Sequence, residues 1–171
     1  MPTRFPLLAA ALVASIAVAS AAPLAVPVIS PEPVVAAAHP YDEAADANAR
    51  IDAALAEAKR TGKHVLLDFG ANWCPDCRVL AGIEERPEVK PWLDANYINV
   101  LVDTGRFNKN LDIAARYGLT LKEVPSVLVL SADGAVQNRD EATALGDART
   151  MAPQAVVALL ARWCGQAPAT N

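Results

Sequence analysis

A cysteine pair, Cys74 and Cys77, set between a short strand pattern and a helical one, constrains this chain more than any other feature. Upstream, Val65-Leu66-Leu67-Asp68-Phe69 is an apolar run of the length and type of a buried strand. Downstream, Val79, Leu80 and Ile83 recur at helical spacing until Pro87 limits the segment. Cys74 then falls at a helix N-cap, where unpaired backbone N–H groups and the helix dipole stabilise an anion. Such a position lowers a thiol's pKa, and the thiolate is the species that attacks disulfides. Pro75 suits the first helical position, because its missing N–H costs nothing there. Cys77 lies inside the first turn, close enough to close a disulfide with Cys74 and shielded by the helix. Cys74 is therefore the candidate nucleophile and Cys77 the candidate resolving thiol.

Other uses of a C-x-x-C pair fit less well. Half a zinc site needs another half, and His39, His64 and Cys164 show no ligand spacing. A c-type haem site needs His after the second Cys, where this chain has Arg78. A purely structural bridge across one helical turn closes so small a loop that it removes little chain entropy. Redox exchange by the cysteines themselves needs neither metal nor organic cofactor, and none is expected. The formal net charge of −4 includes no basic block, which argues against nucleic acid or an anionic membrane surface as the main partner.

The N-terminus reads as an export signal over residues 1–21. Arg4 supplies a thin positive region, Leu7 to Ala19 is unbroken apolar sequence, and Ala19-Ser20-Ala21 fits the small-x-small cleavage pattern. An uncleaved anchor is the competing reading; Pro23 and Pro27 interrupt the apolar continuation, and the central run is shorter than the ~20 residues that span a bilayer. Residues 22–40 hold five prolines among Ala and Val and read as an extended, disordered linker. A domain is expected over 41–165 and a short tail over 166–171.

Within the domain, Asp42 or Asp46 opens an Ala-rich helix that Gly62 stops. Further helices are expected over Glu88–Asn96, Asn110–Tyr117 and Pro153–Cys164, and further strands over Tyr97–Val102 and Ser126–Leu130. The turn Ala132-Asp133-Gly134 leads towards a fourth strand near Ala135–Asn138. This order predicts an α/β domain with a central mixed sheet covered by helices on both faces.

The segment Leu67-Asp68-Phe69-Gly70-Ala71-Asn72-Trp73-Cys74-Pro75-Asp76-Cys77 resembles the active-site segment of the thioredoxin superfamily, and Val124-Pro125-Ser126 resembles its cis-proline loop. The match runs from about Lys63 to Ala135 and is similar to exported bacterial thioredoxin-like proteins and to the periplasmic domain of thiol–disulfide transporters. The resemblance implies a thioredoxin fold of four to five strands, with an extra N-terminal helix. It implies a periplasmic thiol–disulfide oxidoreductase acting on protein thiols and disulfides, with a membrane thiol–disulfide transporter as a candidate electron donor. It also implies residue roles: Asp68 exchanges a proton with Cys77, and Trp73, Pro75, Asp76, Val124 and Pro125 meet the substrate chain. A non-catalytic adaptor that uses the disulfide as a brace is the alternative.

The chain departs from the family pattern in places. The segment Leu119 to Glu123 is about two residues longer than in ordinary thioredoxins, and Asn99 stands where a lysine often partners the buried acid. A carboxylate at Asp76 is expected to oppose thiolate formation and make the dithiol more reducing. The polar loop Asp103–Asn108 reads as a well-capped turn more than as a partner contact, and Cys164 as a buried inert thiol.

Overall fold

The structure, a computed structural model, describes residues 24–167 and Ala169. The expected signal segment 1–21 lies outside them. Along the chain run α1 (Ala47–Thr61), β1 (His64–Gly70), α2 (Pro75–Glu84), α3 (Lys90–Asn96), β2 (Tyr97–Asp103), α4 (Leu111–Arg116), β3 (Ser126–Leu130) and α5 (Pro153–Trp163). Every residue of β1 except His64 is buried, so this strand takes the central place in a sheet of order β2-β1-β3. It pairs parallel with β2, His64 opposite Tyr97, and antiparallel with β3, Asp68 opposite Val127.

Alternation along the strands divides the core between the two faces. Val65, Leu67 and Phe69 pack with Ile51, Ala54 and Ala58 of α1 and Ile113 of α4. Leu66, Val127 and Val129 pack with Leu80 and Ile83 of α2, Trp92 of α3 and Val156 and Leu160 of α5. Asp46 caps α1 by accepting the Ala49 N–H at 3.0 Å, and Gly62 closes it.

Two expectations need correction. The sheet has three strands among the described residues, and the fourth expected near Ala135–Asn138 is a single bridge between Leu130 and Val136. The buried Asn138 takes over the pairing: its side chain accepts the Val129 N–H at 2.8 Å and donates to the Val127 carbonyl at 3.0 Å. A side-chain amide thus satisfies backbone groups that a strand would have met.

The described part of the expected linker, residues 24–40, also departs from expectation. It is irregular, as its prolines require, but it lies against the domain. Val26, Ile29 and Val34 pack on the core beside α2 and α5. Gln154 accepts the Ile29 N–H at 2.8 Å and donates to the Pro27 carbonyl at 3.1 Å. Arg86 donates to the Ser30 hydroxyl at 2.6 Å and to the Glu32 carbonyl at 3.1 Å. Prolines exclude helix and ladder, but they do not prevent an irregular segment from burying its Val and Ile side chains. At the other end of the chain, Gln166 accepts from the Trp92 indole at 2.9 Å, so the tail begins docked. No helix among the described residues is long and apolar enough to cross a membrane.

Candidate active site

The loop after β1 delivers the cysteines to the start of α2. Cys74 is the N-cap, with extended backbone, and its N–H donates to the Ala71 carbonyl at 3.0 Å. Pro75 opens the helix as expected. Cys74 and Cys77 form a disulfide with Cα atoms 5.3 Å apart. The Cys77 N–H points at Cys74 Sγ from 3.1 Å, which is the capping bond that favours a thiolate there once the bridge opens. Cys74 is buried, with 3% of its surface exposed, and Cys77 is fully buried.

The loop before β3 faces this pair. The Val124–Pro125 peptide bond is cis, and the Val124 carbonyl oxygen lies 3.5 Å from Cys74 Sγ. Chain segments fifty residues apart therefore meet at the sulfur.

Trp73 leaves 44% of its surface exposed beside the disulfide. Its indole N–H donates to the Gly105 carbonyl at 2.7 Å, the Arg106 guanidinium stacks 5.6 Å from its ring, and Phe107 lies at 6.2 Å. The Asp103–Asn108 turn is well capped, with Thr104 donating to the Gly70 carbonyl and Asn108 accepting the Arg106 N–H. It also holds the tryptophan, a contact the sequence reading did not anticipate.

Asp76, in the first turn of α2, is turned away from solvent. It accepts the Arg149 backbone N–H at 3.0 Å and pairs with the Arg149 guanidinium at 3.3 Å. Its charge is thus shared with Arg149, which offsets part of the effect expected on the thiolate.

Asp68 is fully buried on β1, with Oδ2 accepting from the Tyr41 hydroxyl at 2.8 Å and Oδ1 without a hydrogen-bond partner among the described residues. Burial raises its pKa to about 7, and the Tyr41 hydrogen bond acts against that rise. Tyr41 packs in one cluster with Cys74 and Cys77. Burial and the neighbouring Asp68 charge push the phenol's own pKa well up.

A second buried acid, Glu84, was not anticipated. It accepts from Asn99 Nδ2 at 2.8 Å, while its Oε1 has no hydrogen-bond partner among the described residues. Burial first, and the Asp68 charge second, raise its pKa to about 8. Asn99, read as replacing a lysine partner of Asp68, thus serves Glu84. The signal was present: Cys77, Leu80, Ala81 and Glu84 follow helical spacing on the buried side of α2. Tyr41, 27 residues before Asp68 in the chain, gave no such local signal.

Cys164 is partly buried, its Sγ 3.3 Å from the Ala161 carbonyl oxygen, and burial raises its pKa. No group of three or more His, Cys, Asp or Glu among the described residues is arranged to hold a metal ion.

Comparisons with known proteins agree with this geometry. A family model described as thioredoxin-like matches residues 46–132, half of the chain. A thioredoxin H-type of Oryza sativa subsp. indica is 33% identical over 104 residues, covering 61% of this chain and 72% of the relative. A 32-residue stretch is 59% identical to the thiol:disulfide interchange protein DsbD 1 of Pseudomonas aeruginosa, 19% of this chain and only 5% of that relative's length. The crystal structure of a disulphide isomerase from Xylella fastidiosa Temecula1 superposes with a TM-score of 0.68 at 37% identity, covering 72% of this chain and 95% of the other. The chain belongs to the thioredoxin-like family.

Proposed function

We propose that the protein exchanges its Cys74–Cys77 dithiol with disulfides of protein substrates in the periplasm, acting mainly as a reductant. The observation that carries this reading is the capped sulfur: Cys74 Sγ receives the Cys77 N–H at 3.1 Å and lies 3.5 Å from the Val124 carbonyl oxygen. An anion at that atom is stabilised by the helix terminus, and an extended substrate chain can pair with the Val124 backbone.

In the proposed cycle the Cys74 thiolate attacks one sulfur of a substrate disulfide. A Cys74–substrate bond forms and the other substrate sulfur leaves as a thiolate. Asp68, as carboxylate, takes the Cys77 proton, directly or through water. The Cys77 thiolate attacks Cys74 Sγ, the second substrate thiolate leaves, and the Cys74–Cys77 disulfide closes. Two electrons pass to the substrate, and a dithiol donor must return them. The resemblance to an interchange protein supports a membrane thiol–disulfide transporter as that donor.

Trp73, Pro75, Val124 and Pro125 form the proposed substrate-facing surface, whereas Asp76, which the resemblance also placed there, is turned towards Arg149. Asp76 supports the reducing direction, because a carboxylate in the first turn disfavours the thiolate, though Arg149 limits the effect. Export rests on the leader pattern over residues 1–21.

Insulin reduction by dithiothreitol tests the activity. Wild type is expected to accelerate precipitation of the insulin chains, and Cys74→Ser to abolish the acceleration. Equal rates would make the disulfide the brace of a non-catalytic adaptor.

A further inference from the structure

The N-terminal strap is fastened progressively as it nears the disulfide. Ala37 and Arg78 are tied twice: the Ala37 N–H donates to the Arg78 carbonyl at 2.9 Å, and Arg78 Nε donates to the Ala37 carbonyl at 2.7 Å. Asn72, two residues before Cys74, then clamps both backbone groups of Tyr41. Its Oδ1 accepts the Tyr41 N–H at 3.0 Å and its Nδ2 donates to the Tyr41 carbonyl at 2.9 Å. The strap thereby fixes a phenol hydroxyl on Asp68 at 2.8 Å, in a fully buried contact.

Packing alone does not call for that hydroxyl. A phenylalanine would fill the same space without burying an oxygen that needs a partner. The floor of the site is also shaped for it: a Cβ at residue 70 would overlap the Tyr41 hydroxyl, so glycine follows Phe69 at the end of β1.

Glu84 approaches Asp68 from α2, Cys77 lies on the same helix, and the strand residues facing Asp68 are the apolar Leu101 of β2 and Val127 of β3. Burial favours a protonated Asp68. Tyr41 is the one group among the described residues that donates to the carboxylate.

We propose that Tyr41 is a positioning residue of the dithiol centre: its hydroxyl holds one oxygen of Asp68 and leaves the other to take the proton of Cys77. This rests on the reading of Asp68 as the proton acceptor. In the step, the S–H bond of Cys77 breaks, Oδ1 of Asp68 gains the proton, and the electron pair stays on sulfur for the attack on Cys74. Tyr41 keeps its own proton throughout and acts by steadying the ionised carboxylate.

The test is the pH dependence of single-turnover insulin reduction by the prereduced full chain, between pH 5 and pH 9, for wild type, Tyr41→Phe, Gly70→Ala and Asp68→Asn. Beside the rise that Cys74 ionisation gives in every variant, the wild type is expected to show a second rising limb that Asp68→Asn lacks. In Tyr41→Phe the limb moves to higher pH by about one unit, the size expected for one hydrogen bond to a charged group. Gly70→Ala, which keeps the phenol but crowds it off Asp68, moves the limb in the same direction. A second limb lost in Asp68→Asn but unmoved in folded Tyr41→Phe or Gly70→Ala overturns the proposal alone. A second limb that survives in Asp68→Asn overturns the Asp68 reading and the proposal with it. Infrared titration of the Asp68 carboxyl in the oxidised protein gives the same comparison without turnover, and an unchanged midpoint in Tyr41→Phe again overturns the proposal.

Discussion

Asp76 lies one residue from the disulfide, yet its carboxylate is spent on Arg149, accepting that residue's backbone N–H at 3.0 Å. The bond ties the first turn of α2 to the loop before α5. Asp76 is 9% exposed, whereas the Arg149 side chain is 58% exposed, so the backbone bond matters more than the ion pair. Asp76→Ala is expected to lower unfolding free energy by about 1–2 kcal/mol, read from urea denaturation. Equilibration with glutathione should show a potential less reducing by under ~30 mV. A larger shift without loss of stability would mean that the charge, and not the tie, is its main role.

Glu84 and Asp68 make stability depend on pH. Burial raises both, Asp68 from 3.8 to about 7 and Glu84 from 4.5 to about 8. Between those limits the folded protein keeps protons that the unfolded chain releases. Stability is therefore full below the unfolded values, falls as pH rises, and levels off above about pH 8. The urea midpoint is expected to drop between pH 5 and pH 8. In Glu84→Gln, which stays neutral and can still accept from Asn99, the drop should be roughly halved. An identical drop in the variant would show that Glu84 does not titrate in this range.

Gly82 sets helix propensity against packing. In an open helix, Gly→Ala would stabilise by about 1 kcal/mol. Here an added Cβ would collide with the Val35 carbonyl of the strap. Gly82→Ala is expected to destabilise by about 1–2 kcal/mol and to speed hydrogen exchange at the Ala37 amide, which bonds the Arg78 carbonyl. A more stable variant with a protected Ala37 amide would contradict the docked strap.

Trp73 and the loop at Gly105 hold each other. Trp73→Ala removes the indole bond to the Gly105 carbonyl and the stacking of Arg106. Together these are worth on the order of 1–2 kcal/mol, which corresponds to about tenfold easier opening of the loop. Trypsin should then nick the variant after Arg106 about tenfold faster than the wild type. Equal nicking rates would mean that the loop's own caps suffice.

What the sequence carried were features encoded over a few residues. The capping position of Cys74, Pro75 at the first helical position, and the start and stop of α1 at Asp46 and Gly62 are all local, and all are observed. The helices and three strands were also legible, because their apolar periodicity reports the faces they bury. What was not legible depends on tertiary meetings. Tyr41 reaches Asp68 only because Asn72 clamps its backbone. The strap docks through Gln154 and Arg86, which are distant from it in the chain. The missing fourth strand is a competition that Asn138 wins with its side chain, which strand propensity does not describe. Glu84 lies between these cases: its spacing from Cys77 was visible, but a charged residue on a helix is ordinarily read as solvent-facing.

In the proposed cycle Cys74 attacks and Cys77 resolves. The most direct measurement is mass spectrometry of Cys77→Ala after reaction with a disulfide-bonded peptide at neutral pH. The account predicts a persistent mixed disulfide at Cys74, no accumulated adduct in the wild type, and at least about tenfold slower capture by Cys74→Ala, whose remaining Cys77 is buried. Capture at Cys77 or Cys164 as fast as at Cys74, or no adduct in Cys77→Ala, would contradict it.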